Sequence, residues 1–363
     1  MKILWGISGI GTGHSNRQLP IIRYFLSKGH TLAIFCYDES YRIYYQLFKD
    51  NKSITLIKVD IPFIAGNKNG LDWERTAIIN QGKDFNTINS KAIAKAIETI
   101  GKPDLVISDY EPLSAQFAYA YDIPFVTFDQ QSKYLCGEYP ELNEQTVTEE
   151  IMRLRMFFPK ANARIACSFF KVDTSKNKFD VIVLPSTLKE EILNLRKQEE
   201  ERIIVYITSQ REFVQEIKEV IDVLTTQKEQ KFDIFIKEIP NLELPSNISI
   251  YKHGDNNRFY ESLSKSKAII STAGHTLLSE AMYLGIPVYA VPLSIYEQQM
   301  NANIIDENEF GISRSKIDVE NLKYFLENLA TFKKKIKEDK TILFKRSGEK
   351  EIIEILEKIG EKQ

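Results

Sequence analysis

The sequence lacks the features that mark several large classes of protein. Its three cysteines, Cys36, Cys136 and Cys167, are far apart and lack metal-ligand spacing, so we expect neither a disulfide framework nor a zinc site. No stretch approaches the ~20 apolar residues that cross a bilayer, and the N-terminal apolar run is too short for a secretory signal. The formal net charge is −2, without a strongly basic region that would favour nucleic acid. These absences predict a globular protein of a reducing, cytoplasmic compartment with no nucleic-acid partner.

One basic segment, Arg153 to Lys171, allows two interpretations. It carries several Lys and Arg residues, no acidic residue and two Phe-Phe pairs. Basic and aromatic residues together are typical of a face that lies on a membrane surface, which would make the protein membrane-associated at its periphery. The alternative, which we favour, is an amphipathic helix followed by a buried strand.

Short β-type runs alternate with helical periodicity along most of the chain. The first strand is predicted at Lys2–Ile7, Ser15 is predicted to cap the following helix, and Thr31–Cys36 is the second strand. Apolar runs at Leu105–Ser108 and Phe125–Phe128 continue the pattern. This alternation predicts the α/β class with parallel sheets.

The alternation occurs in two sets, which predicts two Rossmann-like domains facing each other across a cleft. We place the first domain at residues 1–185 and a Lys/Glu-rich connection at residues 186–202. The second domain is predicted at residues 203–340. Residues 341–363 are expected to form a C-terminal helix that packs back towards the first domain.

The strongest functional pattern is the segment Ile270 to Pro292, in which a strand runs into Thr-Ala-Gly and then a helix. The free N–H groups of the helix's first turn and its dipole favour a phosphate at this point. A carboxylate further along the helix can accept hydrogen bonds from ribose hydroxyls, and an acidic–Gln pair after the next strand suits sugar hydroxyls. The residues that we assign to a nucleotide-sugar donor are Ser271, Thr272, Ala273, Gly274, His275, Thr276, Glu280, Glu297 and Gln298.

The N-terminal strand also runs into a glycine-rich loop, with Gly9, Gly11 and Gly13 followed by His14. A dinucleotide fingerprint begun at Gly9 or Gly11 would require its last glycine where His14 or Asn16 stands, so NAD is disfavoured.

These residues resemble the GT-B glycosyltransferases, and the similarity extends over most of the chain. It is greatest to the group of the peptidoglycan N-acetylglucosaminyltransferase, the antibiotic glycosyltransferases and the glucuronosyltransferase-like bacterial proteins. The resemblance implies that Gly274 opens the donor helix, Glu280 binds ribose, Glu297 and Gln298 contact the sugar, and the loop of Gly11 and Gly13 faces the diphosphate. Plant members carry Trp where His275 stands and stack the base on a further Trp, which has no counterpart here.

The resemblance places the base-contacting loop at Tyr251 to Gly254, so we expect backbone contacts to the base there, with His253 nearby. We also assign Ser209, in the loop after the first strand of the second domain, to donor binding.

A catalytic role is predicted for His14. An inverting transfer needs an acceptor hydroxyl to lose its proton, and imidazole, whose ordinary pKa is about 6.5, can accept it near neutral pH. An orienting carboxylate is expected at Asp109, which ends a buried strand of the same domain, with Glu111 as the competitor. The alternative is that Asp109 caps the next helix and that His14 is a solvated loop residue. Plant members of the family use a His–Asp pair at the positions of His14 and Asp109.

Together these features predict an inverting glycosyltransferase that moves a hexose from a nucleotide diphosphate sugar to a hydroxyl of an unidentified acceptor. UDP is favoured over dTDP, and the donor is a co-substrate, with no cofactor. Although His14, His253 and His275 are all expected near the cleft, they belong to separate loops, so no metal site is predicted. The alternatives are a GT-B-fold sugar-nucleotide epimerase and a non-catalytic nucleotide-sugar-binding module.

Overall fold

The structure, a computed structural model, describes residues 1–61, 65–67, 70–142, 146–175, 178–198 and 202–361. Parallel strands predominate in it, and each sheet is covered by helices on both faces, as the runs of Val, Ile and Leu without alternation predict. The predicted α/β class with two parallel sheets is confirmed.

The first sheet has the strand order β3-β2-β1-β6-β7-β8-β9, with a small antiparallel hairpin β4-β5 beside it. Its strands are β1 Lys2–Ile7, β2 Thr31–Cys36, β3 Ile54–Lys58, β4 Gly66–Asn67, β5 Gly70–Leu71, β6 Leu105–Asp109, β7 Phe125–Asp129, β8 Ala163–Ser168 and β9 Val181–Pro185. The helices of this half are α1 Gly13–Ser27, α2 Asp38–Phe48, α3 Trp73–Asn80, α4 Phe85–Ile100, α5 Pro112–Tyr121 and α6 Val147–Phe157, with a 3-10 helix at Gln131–Leu135.

The prediction that Ser15 caps the first helix is wrong. Helix α1 begins two residues earlier, at Gly13, with Thr12 in the capping position. Ser15 lies inside the helix and is fully buried. The helix therefore carries His14 in its first turn, rather than leaving it in the loop.

The second sheet has the order β12-β11-β10-β13-β14-β15. Its strands are β10 Arg202–Tyr206, β11 Lys231–Ile236, β12 Ile248–Lys252, β13 Ser266–Ser271, β14 Val288–Ala290 and β15 Gly311–Ser313. After the short connecting helix α7 Glu190–Leu193, the helices are α8 Ile217–Thr225, α9 Asn256–Lys265, α10 His275–Tyr283, α11 Tyr296–Glu307, α12 Val319–Glu327 and α13 Leu329–Glu338. The strand β15 was not predicted, and Arg202, assigned to the connection, opens β10; residues 199–201 of that connection lie outside the described residues.

The chain ends with a 3-10 helix at Ile342–Phe344 and α14 Glu349–Gly360. Ile352, Ile353 and Leu356 of α14 are buried in the core between the first sheet and α1. The Tyr24 hydroxyl of α1 donates a hydrogen bond of 2.9 Å to Glu357. The last helix thus covers the first sheet and links the end of the chain to its beginning.

The basic segment from Arg153 to Lys171 forms the end of α6, a turn and β8. Phe158, Phe169 and Phe170 are buried, so these rings pack inward rather than forming an outward aromatic face. Within the described residues, none of the helices is both long and apolar enough to span a bilayer.

Candidate active site

Each sheet places two loops side by side at its carboxyl edge. In the first sheet Ile7 at the end of β1 pairs with Asp109 at the end of β6, and in the second Tyr206 of β10 pairs with Ser271 of β13. These are the positions at which the strand order reverses, where open α/β sheets bind their ligands. The loops and helices that follow these strand ends carry most of the residues predicted from the sequence for the site.

His14 and Asp109 are in direct contact. Nδ1 of His14 lies 2.8 Å from Oδ1 of Asp109, which is fully buried, whereas the His14 side chain is 12% exposed. With its proton on Nδ1, the imidazole donates to the carboxylate and leaves Nε2 to accept a proton; Nη2 of Arg17, 3.0 Å from the same nitrogen, then donates to Asp109 and not to His14. Tyr110 stacks on the ring, with 6.4 Å between ring centroids and 20° between the planes.

Two further side chains hold this carboxylate, and the sequence analysis missed both. Arg17 donates from Nη2 to Oδ1 of Asp109 at 2.8 Å and from Nε to Oδ2 at 3.1 Å. Gln18 donates to Oδ2 at 2.6 Å and is itself bonded to the indole N–H of Trp5. Arg17 and Gln18 stand three and four residues after His14, on the same helix face, which is the spacing that could have revealed them.

The charge of Asp109 follows from these contacts. Burial opposes its ionisation, but the charges of Arg17 and His14 and their hydrogen bonds outweigh burial and hold the pKa of the Asp109 carboxyl below its ordinary value. Asp109 is therefore a carboxylate at neutral pH, able to orient the imidazole and to stabilise its protonated form.

Glu111, the competitor of Asp109, has a structural role instead. It is fully buried and caps α5, because its carboxylate accepts the backbone N–H groups of Leu113 and Ser114, each at 2.8 Å. Burial raises the pKa of Glu111 to about 7. The helix cap that was considered for Asp109 is thus supplied by Glu111.

In the second half the loop Thr272–Gly274 leads into α10. Ala273 adopts a left-handed conformation with φ of 60°, which turns the chain sharply into the helix. Among the residues that the structure describes, no side chain caps α10, and its first turn carries no acidic residue, so the first N–H groups and the positive end of the dipole remain for an anion.

Gly274 precedes α10 at a position where the protein itself does not require glycine. Its φ of −66° suits any residue, and a Cβ built there would meet no atom within 4 Å. Neither backbone strain nor packing therefore requires glycine, and the open space is what a bound diphosphate would need.

The two halves meet between α1 and α10. The Thr276 hydroxyl donates to the carbonyl oxygen of Gly13 at 3.3 Å, and a Cβ on Gly13 would come within 3.1 Å of the Thr276 oxygen. The Thr272 hydroxyl is bonded to that of Thr208, at the end of β10. Gly11, in the loop before α1, has a φ of 69° and borders open space.

Glu280 lies in the second turn of α10 and is 5% exposed. Its Oε1 is 4.0 Å from the ammonium of Lys189, which comes from the connection between the halves. Burial, opposed by Lys189, raises the pKa of Glu280. Glu280, the residue predicted to bind ribose, therefore faces the charge of Lys189 in this structure.

His253 and Ser209 lie in the loops after β12 and β10. The His253 ring stacks on Tyr206, with 4.6 Å between centroids and 12° between planes, and its Nε2–H donates to the carbonyl oxygen of Phe235 at 3.0 Å. Burial lowers the pKa of His253. The half-buried Ser209 accepts the N–H of Phe213 with its carbonyl oxygen.

The first turn of α11 carries Glu297 and Gln298. The amide oxygen of Gln298 accepts the N–H of Leu293 at 2.9 Å, while Glu297 is half-buried. Lys133, which the sequence analysis did not identify, is fully buried. Burial lowers the pKa of Lys133 to about 8, and the charge of Glu297 opposes this shift.

His275 begins α10 and is 3% exposed, with its ring 5.4 Å from that of Phe169. Burial holds the pKa of His275 well below its ordinary value, so the ring is neutral, and its Nε2 has no hydrogen-bond partner within the described structure. The fourth histidine, His30, contacts the amino group of Met1, far from these loops. Among the described residues no group of three or more His, Cys, Asp or Glu side chains could hold a metal.

A protein-family model described as glycosyl transferase family 1 matches residues 1–330 of the chain. An uncharacterized glycosyltransferase of Methanosarcina mazei is 23% identical over 396 residues, covering 99% of this chain and 98% of that protein.

Solved structures share the whole architecture. A UDP-glucose:anthocyanidin 3-O-glucosyltransferase in complex with UDP aligns with a TM-score of 0.72 at 14% identity, covering 100% of this chain and 99% of that one. Glycosyltransferase VinC in complex with dTDP aligns with a TM-score of 0.65 at 15% identity, covering 100% of both chains. These similarities show the fold, in which two Rossmann-like sheets are arranged in the GT-B manner.

Proposed function

Because the chain belongs to glycosyl transferase family 1 and has the GT-B fold, we propose that it is an inverting transferase of a hexose from a nucleotide diphosphate sugar. The acceptor is a hydroxyl of an unidentified small molecule, lipid or glycan. The observation that carries the proposal is the His14–Asp109 contact of 2.8 Å on one half, at the point where α1 meets the uncapped start of α10 on the other.

In the proposed reaction Nε2 of His14 accepts the proton of the acceptor hydroxyl as its oxygen attacks the anomeric carbon. A new carbon–oxygen bond forms on one face of the sugar while the bond to the diphosphate breaks on the other, which inverts the configuration. The electron pair of the broken bond goes to the leaving diphosphate. Asp109, whose charge is held by Arg17, stabilises the imidazolium.

The leaving diphosphate is assigned to the start of α10. The N–H groups of its first turn, the helix dipole and the hydroxyls of Thr272 and Thr276 can stabilise the negative charge of the leaving group. Because these groups belong to the protein, we propose that transfer needs no metal.

The remaining donor contacts are assigned by position. Glu280, which faces Lys189, is assigned to the ribose, and the loop of His253 is assigned to the base. Glu297 and Gln298 are assigned to the sugar, and Ser209 is assigned to the donor without a particular group. The nucleotide thus binds mainly through the second sheet, in the domain proposed at residues 203–340. We favour UDP over dTDP, since two structural neighbours are described with UDP or a UDP sugar and one with dTDP.

Mass spectrometry of reactions with a panel of UDP- and dTDP-hexoses tests the proposal, first for hydrolysis of the donor and then with candidate acceptors. We expect release of the nucleoside diphosphate, undiminished by EDTA. Epimerised donor without transfer would indicate an epimerase. Donor binding without any turnover would indicate a binding module, and either outcome would overturn the proposed transfer.

A further inference from the structure

A cavity of about 210 Å³ lies beside α6, outside the site described above. It is large enough for several water molecules, each of which takes about 30 Å³ in the liquid. Its walls combine apolar groups with two guanidinium groups, and the lining residues are Leu135, Arg155, Phe158, Pro159, Arg164 and Phe179. We infer that this cavity binds an oxyanion, a phosphate-type group attached to an apolar or aromatic carbon group.

The first support is Arg164 on β8. This residue is 5% exposed, and its Nη2 donates to the carbonyl oxygen of Phe158 at 2.9 Å. Its Nη1 is buried and has no hydrogen-bond partner among the described residues. Since an unsatisfied donor on a charged group is costly to bury, a ligand acceptor at this atom would remove the cost.

The second support is the charge around the cavity. Arg155 of α6 and Arg164 of β8 both approach the ring of Phe179, with their guanidinium carbons 5.7 and 6.0 Å from the ring centroid. Within the described part of the chain neither guanidinium is within 4.0 Å of a carboxylate. Glu150 of α6 is instead bonded to Arg153 and Tyr110.

Asp129 is the carboxylate that acts on Arg164 from a distance. Its two oxygens are already engaged by the N–H and hydroxyl of Ser132, at 2.7 and 2.9 Å. Within the described residues neither guanidinium that lines the cavity is bonded to a carboxylate, so both can donate to an oxyanion placed there. Guanidinium groups also match the geometry of phosphate oxygens.

The apolar walls indicate what the oxyanion carries. Phe158, Phe179, Leu135 and Pro159 give no hydrogen-bonding side chain, so they suit a hydrocarbon or ring. The cavity is separated from His14 by the rings of Phe158 and Tyr110, which lie 6.2 Å apart, and Tyr110 faces His14. It is thus distinct from the diphosphate position at α10, and the inference does not depend on the proposed function.

The probes are phenyl phosphate, inorganic phosphate and the neutral benzamide, observed by saturation-transfer NMR for the aromatic probes and by competition for phosphate. UDP is kept at high concentration so that the start of α10 does not contribute. We expect phenyl phosphate to bind more tightly than inorganic phosphate and benzamide not to bind. Arg164→Gln and the exposed Arg155→Gln should each weaken phenyl phosphate about tenfold or more, a change that corresponds to about 1.4 kcal/mol.

Lys160→Gln is the matched control, because Lys160 is an exposed cation on the same segment that does not line the cavity. Equal binding of phenyl phosphate by the wild type and both arginine variants would overturn the inference. An equal loss with Lys160→Gln would do so as well, because the attraction would then be general to the basic surface. Inorganic phosphate binding as tightly as phenyl phosphate would refute the apolar part of the ligand. If UDP fails to bind, the proposed function is in doubt, while the comparison of variants stays valid.

Discussion

Replacing Asp109 by Asn tests the network that surrounds His14. In the folded protein the Asp109 carboxylate accepts four hydrogen bonds, from the His14 ring, the Gln18 amide, and Nε and Nη2 of Arg17. The amide of Asn has a single acceptor oxygen, and each carboxylate oxygen of Asp109 accepts from two donors, so two of these four donors would face an N–H₂ group. Arg17, 4% exposed, would keep its charge without a carboxylate.

Removing one partner of a buried ion pair costs about 3–5 kcal/mol. We therefore expect Asp109→Asn to lower the free energy of unfolding by that amount. The double variant with Asp109→Asn and Arg17→Met should be more stable than Asp109→Asn alone, because Arg17→Met removes the unpaired charge.

Tryptophan fluorescence during urea unfolding measures this change in the relevant half, since the two tryptophans are Trp5 and Trp73. Trp5 is bonded to Gln18 and so reports on the network itself. Asp122→Asn is the matched control, at an exposed left-handed position that Asn tolerates, and should change stability by less than about 0.5 kcal/mol. A loss below about 1 kcal/mol for Asp109→Asn would refute the idea that Arg17 and Asp109 form a tight buried pair.

Three more outcomes follow from the same contacts. The folded-state pKa of Asp109 lies below its ordinary value of about 3.9, so the carboxylate contributes its full stabilisation above that pH and loses it as the pH falls further. Asp109→Asn should therefore lose less stability than the wild type when the pH falls below about 4. Equal losses of stability on acid titration would contradict this. Glu280→Gln should weaken UDP binding by about 1–3 kcal/mol in calorimetry, whereas the more exposed Glu191→Gln should not, and unchanged affinity would remove Glu280 from the site. Gly274→Ala should leave the melting temperature unchanged or higher, because the added methyl group meets no protein atom. The same methyl group fills the assigned phosphate space, so the affinity for UDP should fall about tenfold. Tight UDP binding by this variant would argue against that assignment.

Much of the fold could be predicted because buried parallel strands are continuous apolar runs. Leu105–Asp109 and Phe125–Asp129 are fully buried and were found within a residue of their ends. The strand Gly311–Ser313 was missed because three residues give too short an apolar run to separate from a loop. The residue type of Ser15 favours a helix cap, whereas the backbone geometry places the start of the helix at Gly13.

The site was predictable where it depends on strand ends and not where it depends on distant contacts. His14 and Asp109 follow neighbouring strands, and the register of β1 and β6 brings them together. The contact of Lys189 with Glu280 and the burial of Lys133 arise from the packing of the two halves, for which local sequence gives no signal. Glu111 was a competitor because sequence alone does not show which carboxylate turns towards the N–H groups of α5.

The most direct test of the central claim, that His14 is the general base, is the rate of sugar transfer by His14→Ala measured beside its affinity for the donor. A base acts in the transition state, so turnover at saturating donor should fall about 10²–10⁴-fold while the dissociation constant of the donor stays close to that of the wild type. Ser27→Ala, at the exposed far end of the same helix, controls for changes in α1 and should keep the wild-type rate. Transfer by His14→Ala at the wild-type rate would contradict the account and place the base elsewhere.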